Sequence, residues 1–577
     1  MIMQDEIKNR KHSNSFINYI IGGNKLEIGV ILFFAISYIV VTIFHEPWFD
    51  EAQAWQIARC ASLKDILFTI PHYEGHPALW HLLLFIPAKL GLPFEISLKV
   101  IGGLLILLCV YLVEYKSPFK RWFKLLLPFT FFFFYQYGVI VRPYSLLLVL
   151  VILAAMFFKG KNDKPFRFVV VLIAMCCTSA LGIIIAGGIA ISWVIDIISE
   201  QGIKETMKSL FTTKRMLSLW LLLFSALFVC FQVLPKNDKL ATNFVKKNSF
   251  IERFVCSLFA FLPDSFLTES PWSSGENLLI DIKFNIGELI AVSCLGIFIW
   301  FLIWLLSNKK KFKYFSITYT LFALFSALVY FNAHHIGIVL YIILFWAWIN
   351  FSEKETDYRI LKIKSMVEKK SENKEWLKGI FKPETQKSIK KLVTFIEVII
   401  VCLSVYWSIS SSILDIKIQY NFGREAANYI KENHLENLTI FSEWGYSEDS
   451  TEGKVHINDV YYMHIPVNIY PYFDDEIVDN MERGYVTHIY SDEEACERII
   501  DQWRELGEPD IMLGYVDLKN IYGENIKRTD YSPVFRLETN IIWRGSEYIA
   551  YNYIFARNDI IEQYNLISLY DEIHTNE

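Results

Sequence analysis

Apolar runs long enough to cross a bilayer recur along this chain, and they limit its fold more than any other feature. A transmembrane helix needs about 20 mostly apolar residues. Such runs lie near residues 27–44, 97–114, 124–138, 143–158, 167–181, 182–197, 216–234, 286–306, 314–331, 335–350 and 393–412. A further run, 77–92, is short, is broken by Pro87 and Gly91, is followed by Pro93, and carries His81 and Lys89. At 53% hydrophobic residues and a mean hydropathy of +0.31, a chain of 577 residues is too apolar to be a soluble protein.

Charge decides how the runs cross, because Lys/Arg-rich segments stay on the cytoplasmic side. Basic segments lie at 1–25, 116–124, 159–167, 204–215, 309–313 and 354–391. If 77–92 does not span, all six fall on one side and the chain has eleven spans. If it spans, every later basic segment changes side. We therefore read 77–92 as an amphipathic juxtamembrane or re-entrant helix on the outer face. The N-terminus, 1–26, and the loop 351–391 are then cytoplasmic. Segments 45–96 and 235–285, and the turns at 138–142 and around His334, lie outside. The basic "KNRKHSNS" precedes an apolar run with no small-residue cleavage site, so the first span is expected to be retained.

The tail has another character. From Leu414 onward there are 13 Lys/Arg against 32 Asp/Glu, a net of −19, which leaves about +14 for the rest of a chain whose total is −5. A basic membrane part and an acidic tail point to two compartments. "GREAANYIKENH" and "DEEACERIIDQWREL" read as helices; "NLTIFS", "DIMLGYV", "PVFRLET" and "YIAYNYIFAR" read as strands. The fold class expected is an α-helical polytopic membrane protein of eleven transmembrane helices over 27–412, with juxtamembrane helices. A C-terminal extracytoplasmic α/β domain over 413–577 completes it. No phosphate-cradling glycine motif and no internal repeat occur, and no nucleic-acid partner is expected. The nine cysteines lie mostly in apolar runs without paired spacing, which reads as small buried hydrophobes rather than a zinc site.

The segments placed outside hold the suggestive polar residues. "FHEPWFDEAQAWQ" opens the first loop with Asp50 and Glu51, and Glu74 and His76-Pro77 follow. "QYGVIVRPYSL" carries Arg142 and Tyr144; "YFNAHHIGIVL" carries His334 and His335. Each has an ordinary reading alone: hydrated carboxylates, an arginine snorkelling to lipid phosphates, interfacial histidines. Together on one side of a membrane, they suggest a site.

Taken with "EGHPALWHLLLFIPAKLG", the stretches "WFDEAQAWQIAR" and "QYGVIVRPYSLLL" resemble the GT-C superfamily of integral-membrane glycosyltransferases. The closest branch holds the protein O-mannosyltransferases and aminoarabinose lipid A transferases. The resemblance covers about residues 27–350 and is motif-like only in 44–92 and 137–147. It departs in carrying His76-Pro77 in place of Pro-Pro, and His334-His335 before a late span in place of a basic residue.

The resemblance implies transfer of a sugar from a polyprenyl-phosphate-linked donor to a glycan, lipid or protein acceptor, with inversion at the anomeric carbon. Asp50, with Glu51, is then the catalytic candidate, as a base for the acceptor hydroxyl. Arg142 binds the donor phosphate through its fork of N–H groups, with His335 and His334 as further donors. His76, Tyr144 and Glu74 are substrate-binding candidates. Some members of the superfamily use a divalent cation and others do not; two adjacent carboxylates are too few oxygens for a hard cation, so no obligatory metal is expected. The retained N-terminus and compact loops fit a bacterial plasma membrane, with membrane lipids as partners. Two rival readings are a transporter or flippase for a lipid-linked sugar, and an inactive assembly protein with this architecture. Polar groups gathered at the outer face, rather than at mid-membrane in repeated halves, favour the enzyme.

Overall fold

The computed structural model describes residues 25–234, 249–266, 286–329, 331, 333–352, 383–442, 445–449, 454–459, 464–481, 484–485, 505–514 and 530–569. The N-terminal segment, most of the loops expected at 235–285 and 351–391, and most of the expected helix "DEEACERIIDQWREL" lie outside these residues.

Among them, seven helices are long and apolar enough to cross a membrane: Lys25–Phe44, Phe94–Lys116, Pro143–Gly160, Ala180–Gln201, Lys214–Val233, His334–Phe351 and Thr394–Lys417. Their outward faces are apolar. On the first helix Leu32, Phe33, Ile36 and Ile43 are each more than half exposed, while Phe34, Tyr38 and Val41 pack inward. A contiguous apolar face of this size suits lipid rather than water.

The other expected spans are shorter. Helices Pro165–Cys176 and Phe312–Leu328 fall short of 18 residues, and of the 21-residue helix Ile286–Leu306 the apolar part is Ile290–Leu306. A 12-residue helix rises only about 18 Å against a hydrocarbon core of about 30 Å. The run 124–138 is not a single α-helix. It comprises the end of Arg121–Leu126, a 3₁₀ turn at Leu127–Phe129 and a π-helix at Phe132–Val139, and every residue of the π-helix is buried. The segment 77–92 forms the 11-residue helix Leu79–Lys89, about half a bilayer core in length.

The tail folds as an α/β unit. The helix Gly423–Glu432 leads to β1 (Ile440–Ser442), followed by a hairpin of β2 (Gly445–Asp449) and β3 (Lys454–Asp459). Then come β4 (Ile511–Gly514), β5 (Tyr531–Trp543) and β6 (Ser546–Arg557). The main sheet runs β1-β4-β6-β5; β1 and β4 are parallel, the other pairs antiparallel. The strands expected in "NLTIFS", "DIMLGYV", "PVFRLET" and "YIAYNYIFAR" are all present.

This unit is packed onto the helices. One apolar core joins Ala52, Trp55, Trp80 and Leu98 to Phe422, Ile469, Leu513 and Phe555. Arg424 reaches Glu95 with two nitrogens, 2.6 and 2.9 Å away, and Glu46 at 3.2 Å. Arg59 donates to the Phe473 and Tyr470 carbonyls, and Asn421 to that of Pro47. The tip of the β5–β6 hairpin enters the bundle. Arg544 and Gly545 both have positive φ, 51° and 85°, which suits a two-residue turn that follows strand twist. There Trp543 meets Phe131 and Phe132 edge-on, and Arg544 pairs with Asp264.

Candidate functional site

The first long helix ends at Phe44, and the chain turns through His45-Glu46-Pro47 into the helix Phe49–Cys60. Proline disfavours helical backbone in the residue before it, so the break falls here. Asp50 and Glu51 occupy the new helix's first turn, where negative charge complements the helix dipole. Glu51 also accepts the Trp48 N–H at 2.8 Å, closing that turn. Ala52, Ala54 and Ala58 are buried and small, which lets the helix lie close against Leu79–Lys89. Asp50 is thereby presented from a packed scaffold.

Arg142 is set by a different device. The π-helix closes with the Ile140 N–H on the Tyr135 carbonyl, five residues back. Gly138 is needed inside it, since a Cβ there would lie 2.9 Å from the Phe133 carbonyl oxygen. The chain then extends at Arg142 (φ −126°, ψ 172°), as a residue before proline prefers, and Pro143 starts the next helix. His334 and His335 lie in a 3₁₀ turn, Ala333–Gly337, before the helix Ile338–Phe351. The Tyr137 hydroxyl donates to the His334 carbonyl.

These elements converge. Arg142 Nη2 lies 2.6 Å from Asp50 Oδ2, with the arginine side chain 7% exposed and the aspartate 33%. The guanidinium lies over two rings, 5.2 Å from Trp48 and 5.1 Å from Tyr144. Tyr144 also faces His334 and His335 at 6.1 and 5.9 Å, and the two imidazoles are 4.2 Å apart. Glu74 accepts from Gln53 at 3.1 Å. Burial pushes the Glu74 carboxyl up to about 7; the Gln53 bond opposes this and the Asp50 charge adds to it. Burial, then the Arg142 charge and His81, bring His76 down to about 3, so its ring is neutral near pH 7. The ring nitrogens His76 Nδ1 and His334 Nε2 are buried and hydrogen-bond to none of the described groups.

Asp50, Arg142, Tyr144, His334 and His335 therefore form one cluster, with His76 and Glu74 within range of its charges. Glu51 has a different position. It is 1% exposed, and its oxygens accept the Trp48 and Val141 N–H groups at 2.8 and 2.7 Å. It ties the loop carrying Asp50 to the one carrying Arg142, so it positions the site rather than faces an open cavity. His45, at the membrane edge of the same stretch, joins the surroundings; Trp48, Gln53 and Asp415 complete them and have no role read from sequence. Trp48 offered one signal, being an aromatic two residues before Asp50. Among the described residues no group of three or more His, Cys, Asp or Glu is arranged to hold a metal ion.

Chemically, the cluster offers a guanidinium fork against two aromatic rings, beside a partly exposed carboxylate. No known protein family matches the chain, and no curated protein matches it.

Proposed function

We propose that this protein is a membrane glycosyltransferase that moves a sugar from a polyprenyl-phosphate-linked donor to an acceptor on the outer face of the membrane. The observation that supports this reading is the Asp50–Arg142 pair, a carboxylate and a guanidinium 2.6 Å apart. The donor phosphate competes with Asp50 for the guanidinium, bidentate recognition favouring the phosphate. Asp50, released, accepts the proton of the acceptor hydroxyl. The hydroxyl oxygen bonds to the anomeric carbon, and the bond from that carbon to the phosphate oxygen breaks with inversion. The phosphate leaves with the electron pair and stays on Arg142. Neutral His76, and His334 and His335, supply further contacts. No metal is required, and the acceptor is a glycan, a lipid or a protein.

We count eleven spans on this reading: the seven long helices, Ile286–Leu306, and the shorter segments 121–139, 165–176 and 312–328, which would cross only with a locally thinned bilayer or support from neighbouring helices. They keep every basic segment cytoplasmic and the acidic domain outside, in a plasma membrane. The test uses the full chain in nanodiscs, a panel of polyprenyl-phosphate sugars, and release of free polyprenyl phosphate. Release that Asp50→Asn and Arg142→Ala both abolish supports the reading. No release from any donor, with cell membranes supplied as acceptor, overturns it.

A further inference from the structure

His45 is buried between two carboxylates that lie far apart in sequence. Its Nδ1 is 2.9 Å from Asp415 Oδ2, at the end of the last long helix, and its Nε2 is 3.4 Å from Glu51 Oε2. All three side chains are at most 1% exposed. A neutral imidazole has one N–H and could donate to only one of them, leaving its bare nitrogen against the other's lone pairs. The doubly protonated ring donates to both.

Of the three, Glu51 bonds to the backbone on both sides of the Asp50–Arg142 contact. One oxygen holds the N–H of Trp48, whose ring stacks on Arg142; the other holds the N–H of Val141, next to Arg142 in the chain. We infer that His45 is a positioning residue, clamped by Asp415, that fixes Glu51 so that Asp50 and Arg142 stay in register. This deepens the proposed glycosyl transfer and rests on it.

The surroundings agree. Burial disfavours charge on His45, but Asp415 and then Glu51 outweigh it and raise the ring to about 10. The Tyr420 ring packs at 4.7 Å, Glu46 adds negative charge from the same turn, Tyr135 borders Asp415 and Tyr38 borders Glu51. Arg424 also reaches this turn, but it is held by Glu46 and Glu95 rather than by the two carboxylates that face His45. A misplacement of about 1 Å in a reacting constellation can slow chemistry about 10²-fold.

The test compares wild type, His45→Gln and Asp415→Asn, each as the full chain in nanodiscs. The first measurement is amide hydrogen exchange of peptides covering 45–56 and 137–147, which needs no donor. The second is release of polyprenyl phosphate at saturating and limiting donor. Both variants should lose protection in the two peptides, including the distant 137–147. Release at saturating donor should fall at least tenfold, with the half-saturating donor concentration changed less than about threefold. A purely structural histidine would loosen 45–56 alone and leave the rate of folded protein unchanged, and that pattern overturns the inference. If His45→Gln does not fold, Asp415→Asn carries the same comparison. If wild type releases nothing, the glycosyl-transfer reading fails, while the exchange pattern still decides whether His45 holds the two loops together.

Discussion

Arg544 and Asp264 form an ion pair with almost no water around it: Nη1 lies 3.2 Å from Oδ1, and the side chains are 0% and 4% exposed. The arginine also donates to the Asp264 carbonyl at 2.5 Å and lies 4.6 Å from the Trp407 ring. Removing one partner of a buried pair typically destabilises by about 3–5 kcal/mol. Arg544→Ala should therefore lower thermal stability in nanodiscs markedly. Arg544→Lys should recover only part of it, because an ammonium cannot reproduce the planar fork.

Gly545 makes a sharper probe of the same contact. It has φ 85°, and a Cβ there would lie 2.8 Å from Ser410 Cβ. Gly545→Ala should destabilise the full chain, and pairing it with Ser410→Gly should relieve the clash but not the backbone strain. A melting curve unchanged from wild type would show that the hairpin tip does not dock.

At the site, Arg142→Lys should be nearly as damaging as Arg142→Ala. Lysine keeps the charge but loses both the fork and its contact with the Trp48 and Tyr144 rings. Loss of a fixed donor to a developing anion costs about 10²–10³ in rate. Release of polyprenyl phosphate at saturating donor measures it.

If transfer proceeds as proposed, Asp50→Asn should slow release by about 10²–10⁴, the usual contribution of a general base. Binding of polyprenyl phosphate alone should be kept or strengthened, since the phosphate no longer competes with a carboxylate for Arg142. Weaker phosphate binding in this variant would contradict the exchange of partners.

Two groups make stability depend on pH in opposite directions. Glu74 is raised from 4.5 to about 7, so the folded state holds a proton that the unfolded chain gives up, and this contribution is lost as pH rises from about 4.5 to 7. His76 is lowered from 6.5 to about 3, so its contribution is present above 6.5 and lost as pH falls toward 3. Glu74→Gln should leave a steeper loss of stability on acidification, and His76→Phe a shallower one. Melting temperatures between pH 4 and 8 distinguish the two slopes.

The long helices were legible because length and apolar content alone mark them. The run 124–138 was not, because Phe, Tyr and Gly there serve an α-helix or a π-helix equally well by composition. What decides is the Ile140 bond to Tyr135 and the room at Gly138. The strands of the tail were visible in their β-branched and aromatic residues. The entry of their hairpin into the bundle was not, because Arg544-Gly545 reads as an ordinary exposed turn. At the site, Asp50, Arg142, Tyr144 and the histidine pair could be found because each flanks the end of an apolar run. Asp415 could not: it sits 370 residues from His45, and nothing local marks a carboxylate at the end of a helix as a partner.

The core that the helices Phe49–Cys60 and Leu79–Lys89 share with the acidic domain has a consequence for when the fold is completed. Asp50 and Arg142 leave the ribosome early, but Asp415, which holds His45, follows some 270 residues after Arg142, and the Arg544 tip comes later still. Domains made during synthesis generally fold in order from the N-terminus. Here the early half has to wait, inserted but unfinished, until the last part of the chain folds back onto it. A nascent or prematurely terminated copy would carry Asp50 and Arg142 without the contacts that hold them together.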